Sequence, residues 1–336
     1  MSIRAAFRDG ARRVNRAPMI LVGVVVVTLM LCLPLALALR GMLRVHLGNS
    51  LAAETAASGV NYDWWQEFSE QATGLGATFS PRLIGFGAVL DNLSNLMDNA
   101  SLPTVLAGAA SAYIVVMLFL VGGILDRFAR NRPIRSAGFF SACGVYFFRF
   151  LRLGLMGLVA YSVLFGWIHP WLFDTIYPKL IRNITVERTA FAWRAILYLL
   201  FAALLIAVNV VFDYAKIRAV IEDRRSMIGA LAAAGRFVRR NARDVFGLYL
   251  LDGLCWLAVI GAYALVAPGA GRTGPTMWMA FAVSEMYVAS RIWVKLLFYA
   301  SQISLFQSRL AHAEYAAAPQ PLWPESPAAE AVASPR

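Results

Sequence analysis

The 336-residue chain is 60% hydrophobic and 15% charged, with a formal net charge of +12 and a mean hydropathy of +0.62. That balance excludes a soluble globular domain and a disordered chain, and leaves an integral membrane protein. The fold expected from it is an all-α polytopic transmembrane helix bundle of about six spans, with amphipathic interfacial helices.

Residues 1–18 form a basic arm in which Arg4, Arg8, Arg12, Arg13 and Arg16 face a lone acid, Asp9. Asp9-Gly10-Ala11-Arg12 echoes the opening of the lipid phosphotransferase motif, but the carboxylates that would hold its metal ions do not follow. A bilayer core of about 30 Å takes roughly 20 apolar helical residues, and the run 19–39 supplies the first span. Signal-peptide cores are only about 7–15 residues long, so this run is expected to stay as a span. Leu31 before Cys32 argues against lipidation, and Cys32, Cys143 and Cys255 read as small apolar residues without paired spacing.

Segment 41–101 is polar and acidic and is expected outside. Within it Trp64, Trp65 and Phe68 suit a short helix at the membrane interface, and Pro81 is expected to open a second helix carrying Leu83, Phe86, Leu90, Leu93 and Met97. Packing over the outer ends of the bundle is the plain reading of the tryptophans, and partner binding the other. The second span is expected near 102–125. An amphipathic segment follows at 126–152, with Phe139, Phe140, Cys143 and Phe147 on its apolar face and Arg149 and Arg152 at its end. Spans near 153–173 and 191–212 come next, the latter bearing Asn209.

Segment 213–244 is too charged to span and too periodic for a loop. Tyr214, Ile217, Ile221, Ile228, Leu231 and Val238 form a stripe flanked by Arg225, Arg236, Arg239 and Arg240, with Arg243 beyond, as in a helix lying among headgroups; Ser226 is placed to begin a second helix there. A shift of 91 residues superposes Ala142, Gly144, Arg149 and Arg152 on Ala233, Gly235, Arg240 and Arg243, the trace of a possible duplication. The fifth span, 245–267, carries Asp252; the sixth, 277–298, carries Glu285, Arg291 and Lys295. Charges in hydrocarbon are costly unless paired, and similar depth on neighbouring helices predicts an Asp252–Arg291 ion pair. Residues 311–336, rich in Ala and Pro, are expected to be a disordered tail.

Arg and Lys concentrate in 1–18, 126–152 and 213–244, whereas 41–101 holds mainly acids. The positive-inside rule therefore predicts both termini in the cytoplasm of a bacterial inner membrane, with the basic segments facing anionic lipid headgroups and no role for nucleic acid. No motif implies a cofactor or metal, and the signatures of zinc hydrolases, phosphate-binding loops and serine elbows are missing from the sequence.

Across 191–298, the sequence Asp213-Tyr214-Ala215-Lys216-x-Arg218, leading to Arg236-Phe237-Val238-Arg239-Arg240-Asn241, resembles uncharacterised bacterial multi-span proteins and the membrane domain attached to some glycerophosphodiester phosphodiesterases. That resemblance implies a membrane module without chemistry of its own. The leading reading is a non-enzymatic scaffold or accessory subunit that presents its basic helices to lipid or to a protein partner. The alternative is a transporter that uses Asp252, Glu285, Arg291 and Asn209. Enzymatic chemistry ranks third.

Overall fold

The structure, a computed structural model, describes residues 2–48, 50–269 and 274–312; apart from the last two helical residues, the tail expected at 311–336 lies outside them. The helices are α1 (Ile3–Asn15), α2 (Pro18–Leu47), α3 (Ala53–Ser58), α4 (Tyr62–Gln71), α5 (Gly87–Met97), α6 (Thr104–Arg130), α7 (Ser136–Ile181), α8 (Glu187–Ile221), α9 (Met227–Arg240), α10 (Ala242–Val266) and α11 (Pro275–His312). No strand occurs among the described residues, and the chain is an all-α helical bundle. Five helices, α2, α6, α7, α8 and α10, are long and apolar enough to cross a membrane. The sixth expected crossing, 277–298, belongs to α11, a 38-residue helix that does not join those five on length and composition.

The core sits at one end of the bundle. Phe128 of α6, Ile217 of α8, Ala234 of α9, Ala6 of α1 and Phe306 of α11 are each 0% exposed and belong to one cluster. Away from that end the long helices spread: only 6% of the apolar window of α2 and 22% of that of α6 is buried by protein, so their remaining surface needs hydrocarbon around it.

Residues 1–18 are not a free arm. Ser2 caps α1, and Ala6, Gly10 and Val14, spaced by four, form its buried stripe. A Cβ on Gly10 would stand 2.6 Å from the backbone nitrogen of Ser301, so α1 rests on α11 at a distance only glycine allows. Arg13 then ties α1 to the chain beyond, donating to the Phe128 carbonyl at 2.7 Å and to Gln307 Oε1 at 2.9 Å.

The segments expected as separate surface helices are largely parts of longer ones. No breaker lies between Ser136 and the third apolar run, so the Phe139–Arg152 stretch is the first half of α7. It packs against α6 through Gly122 and Gly123, where an added Cβ would come within 3.0 Å or less of Tyr146, Cys143 and Phe139. Farther along, π-helical turns at Leu164–Ile168 and Trp171–Ile176 flank His169 and Pro170 and carry α7 past the missing proline N–H. Helix α8 likewise continues through Ile221, so Tyr214 and Ile217 belong to it. Ser226 does start α9, accepting a hydrogen bond from Gly229 N, but the buried face of α9 is Met227, Ala230, Ala233, Ala234 and Val238. Ile228, expected on that face, is 74% exposed. In the remaining segment, Pro81–Leu83 is a 3-10 turn, Gly85 has φ +60°, and α5 begins only at Gly87. Gly85 meets the carbonyl of Pro268 so closely that a side chain has no room.

Two aromatic residues related by the 91-residue shift each pack on the preceding long helix. Tyr146 lies against Gly122, and Phe237, its equivalent, lies 5.1 Å from Tyr214, one residue beyond the equivalent of Gly122. The two units diverge where α7 runs on unbroken while α9 gives way to α10 at Asn241.

Candidate functional site

Five helices converge on a cavity of about 1010 Å³, a size that accommodates a small-molecule ligand. Helix α8 presents Asn209, Asp213 and Lys216 to it, and α11 presents Arg291, Lys295 and Tyr299. Both sets recur at the three-to-four-residue spacing of one helix face. Thr28 of α2, Tyr113 of α6 and Tyr249 of α10 complete the polar lining. Thr28 and Tyr113 stand near the middle of the apolar runs 19–39 and 102–125, whereas Asp213, Lys216 and Tyr299 fall just past the ends of the runs 191–212 and 277–298, so the cavity reaches from mid-run to the ends of the apolar stretches.

Three cations and one carboxylate line the cavity. Lys216 Nζ is 2.9 Å from Asp213 Oδ1, in side chains only 21% and 8% exposed. Lys295 Nζ lies 5.8 Å from the centroid of the Tyr113 ring and the Arg291 guanidinium 5.6 Å from that of Tyr287. Neither Arg291 nor Lys295 forms an ion pair among the described residues, and both are exposed to the open volume. Aromatic faces soften the cost of such cations without neutralising them. Asn209 Nδ2 donates to the Tyr249 hydroxyl at 2.6 Å, bridging α8 and α10 across the cavity.

Of the intramembrane residues singled out from the sequence, Arg291 and Asn209 line this site and Asp252 and Glu285 do not. The expected Asp252–Arg291 pair is not formed. Helices α10 and α11 are antiparallel, but Tyr263 stacks on Tyr287 at 4.0 Å and Tyr249 meets Phe298 at 4.9 Å, a register that carries Asp252 past Arg291 toward the Phe298–Ser301 turn, where it bonds Ser301, ten residues beyond Arg291. At about 1.5 Å per residue Ser301 lies some 15 Å along α11 from Arg291. Asp252 is 0% exposed, its Oδ2 accepts from Ser301 Oγ at 2.7 Å, and its Oδ1 has no partner. Glu285 Oε2 is also buried without a partner. Asp252→Asn keeps an acceptor for Ser301 and removes a carboxylate with no cation beside it. It is expected to change unfolding stability in detergent by less than about 1 kcal/mol, or to raise it; a loss above about 3 kcal/mol would revive the ion pair.

The surface arginines divide in two. Arg149 is held by Asp223 at 2.5 Å and by the carbonyl of Arg224, whereas Arg152, Arg225, Arg236, Arg239, Arg240 and Arg243 are exposed. At the opposite end, Trp64 is 7% exposed and donates to His46 Nδ1 at 2.9 Å while stacking on Phe68. Trp65 donates to the Phe79 carbonyl at 3.0 Å. The pair clasps α4 and its following turn to the end of α2, as packing requires.

Tyr113, Asp213, Lys216 and Tyr249 are site residues that the sequence does not single out: Asp213 and Lys216 fall in the segment read as a headgroup-level helix, and Tyr113 and Tyr249 are single tyrosines within apolar runs. The signal was present: 209, 213 and 216 continue one polar face out of an apolar helix, and 291, 295 and 299 repeat that pattern on α11. Among the described residues no group of His, Cys, Asp and Glu is placed to hold a metal ion. No protein-family model, curated protein or solved structure matches the chain, so the resemblance seen across 191–298 rests on its residue pattern alone.

Proposed function

We propose that this chain is a membrane transport or solute-binding protein whose site is the basic cavity between α8, α10 and α11. The supporting observation is the surplus of cations: Arg291 and Lys295 stand unpaired beside the Asp213–Lys216 pair. A dry structural bundle gains nothing from such charges, since each costs several kcal/mol in hydrocarbon, whereas a site for a negatively charged solute requires them. In this reading α11 is a sixth crossing, antiparallel to α10, and both termini with the exposed arginines lie in the cytoplasm of a bacterial inner membrane. Thiol labelling of intact cells should then reach Ser69→Cys and not Arg225→Cys; the reverse pattern would overturn the orientation.

The charge of the cavity is tested by Gly253→Cys, on its wall, in a background lacking Cys32, Cys143 and Cys255. An anionic methanethiosulfonate reagent should react there about tenfold faster than its cationic analogue, as expected for a cleft lined by one sign of charge. Arg291→Gln with Lys295→Gln should erase that preference. Equal rates in the unmutated cavity, or no reaction, would refute the site.

A second reading keeps the protein as a scaffold. The exposed Arg225, Arg236, Arg239, Arg240 and Arg243 suit contact with anionic lipid or an acidic protein partner, each worth on the order of 1 kcal/mol at a charged membrane surface.

A further inference from the structure

We infer that the cavity takes a phosphate-bearing anionic amphiphile, admitted sideways from the bilayer between α8 and α10. This rests on the cavity being the functional site and adds the class of its occupant. Closure on the other sides is the first argument. Toward the packed end of the bundle Tyr214, Ile217 and Phe306 are 1%, 0% and 0% exposed, a plug of side chains on that side. The α10–α11 wall is shut by the Tyr263–Tyr287 stack and by Tyr249 on Phe298.

The opening is the second. Helices α8 and α10 make few close approaches and are joined here by the Asn209–Tyr249 hydrogen bond. The lips of the gap are apolar and face outward: Ile206, Leu250, Leu254 and Leu257 line the cavity yet are 39%, 66%, 53% and 54% exposed. A molecule with acyl chains covers these lips while its head reaches the cations inside.

The charges supply the third. Arg291 offers a planar fork that matches two phosphate oxygens, and Lys295 offers a point charge one helical turn away. A phosphomonoester, with up to two negative charges, is matched by these two groups and leaves Lys216 to Asp213. A zwitterionic head would bring its own cation against three others. Inorganic phosphate would satisfy the cations but leave the apolar lips uncovered.

The test uses the full chain in phosphatidylcholine nanodiscs, titrated with phosphatidic acid fluorescent on an acyl chain. Saturable binding is expected, about tenfold or more tighter than for phosphatidylcholine carrying the same label, and weakened by a similar factor in Arg291→Gln and in Lys295→Gln. Millimolar inorganic phosphate should not displace the lipid, and Leu254→Trp, which narrows the mouth, should slow lipid uptake even where a charge variant fails to fold. Displacement by phosphate would identify a free oxyanion as the occupant and overturn the amphiphile. Equal binding by wild-type protein and both charge variants would place the lipid on the outer surface and also overturn it. If lipid fails to bind while the anionic thiol reagent keeps its preference at Gly253→Cys, the cavity stands as a site and only its occupant has been misassigned.

Discussion

Arg13→Ala is expected to lower the unfolding stability of the purified protein by about 2–4 kcal/mol, measured by denaturation in mixed micelles. The Arg13 side chain is 11% exposed and bonds Asp9 Oδ2 at 2.8 Å, the Phe128 carbonyl at 2.7 Å and Gln307 Oε1 at 2.9 Å, so one guanidinium joins α1 to the ends of α6 and α11. Truncation leaves a buried carbonyl and a carboxylate short of donors; the partial exposure of Asp9, 22%, keeps the cost below that of a fully buried pair. Lysine at this position cannot reproduce the fork and should recover less than half. Acid acts on the same contact. Burial alone would raise the carboxyl of Asp9, but hydrogen bonds from Ser304 and Arg13 and the charges of Arg13 and Arg12 hold it below the ordinary carboxylate range. Its contribution is therefore present above the unfolded value of about 4 and is lost as pH falls through the lowered folded value. In Arg13→Ala that acid-sensitive part should shrink. A loss under about 1 kcal/mol would mean that α1 is only loosely docked.

The apolar runs 19–39, 102–125, 153–173, 191–212 and 245–267 are legible because a bilayer tolerates little else, and each coincides, to within two residues at an end, with part of a helix long and apolar enough to cross. The ends of those helices were not legible. Once started, a helix runs until its backbone is interrupted, so α7 absorbs Phe139–Arg152 and α8 absorbs Asp213–Ile221. The site was half visible for the same reason. Arg291 and Asn209 stand out as polar residues in apolar surroundings, whereas Asp213 and Lys216 look in sequence like a continuation of the basic segment that follows them, and only the packing shows that they face the cavity. The Asp252–Arg291 pair failed on register. Depth counted from the ends of two helices assumes a symmetric turn, and the segment between Val266 and Pro275 offsets them by several residues. Nor does an amphipathic pattern say which stripe is buried: the buried face of α9 is the alanine row with Met227 and Val238, not the stripe that holds Ile228.

Removing the carboxylate of the cavity should cost more than removing its partner cation. Asp213 is 6% exposed and pairs with Lys216 at 2.9 Å, while Arg291 and Lys295 line the same space. Asp213→Asn leaves three cations with no counter-charge, and a loss of about 3–5 kcal/mol follows from stranding a buried charge among like charges. Lys216→Met leaves Asp213 facing two remaining cations that share its cavity, so its loss should be smaller, about 1–2 kcal/mol. The double variant Asp213→Asn/Lys216→Met removes both the pair and its desolvation penalty and should fall between these values. Titrating an anion that binds the cavity should offset much of the Asp213→Asn loss, because a bound ligand stabilises by about 2.7 kcal/mol at a hundredfold excess over its dissociation constant, and the vacated carboxylate is the charge it would replace. Equal losses for the two single variants would show that Arg291 and Lys295 do not act on this pair, and the net positive cavity would then be a feature of shape without electrostatic consequence.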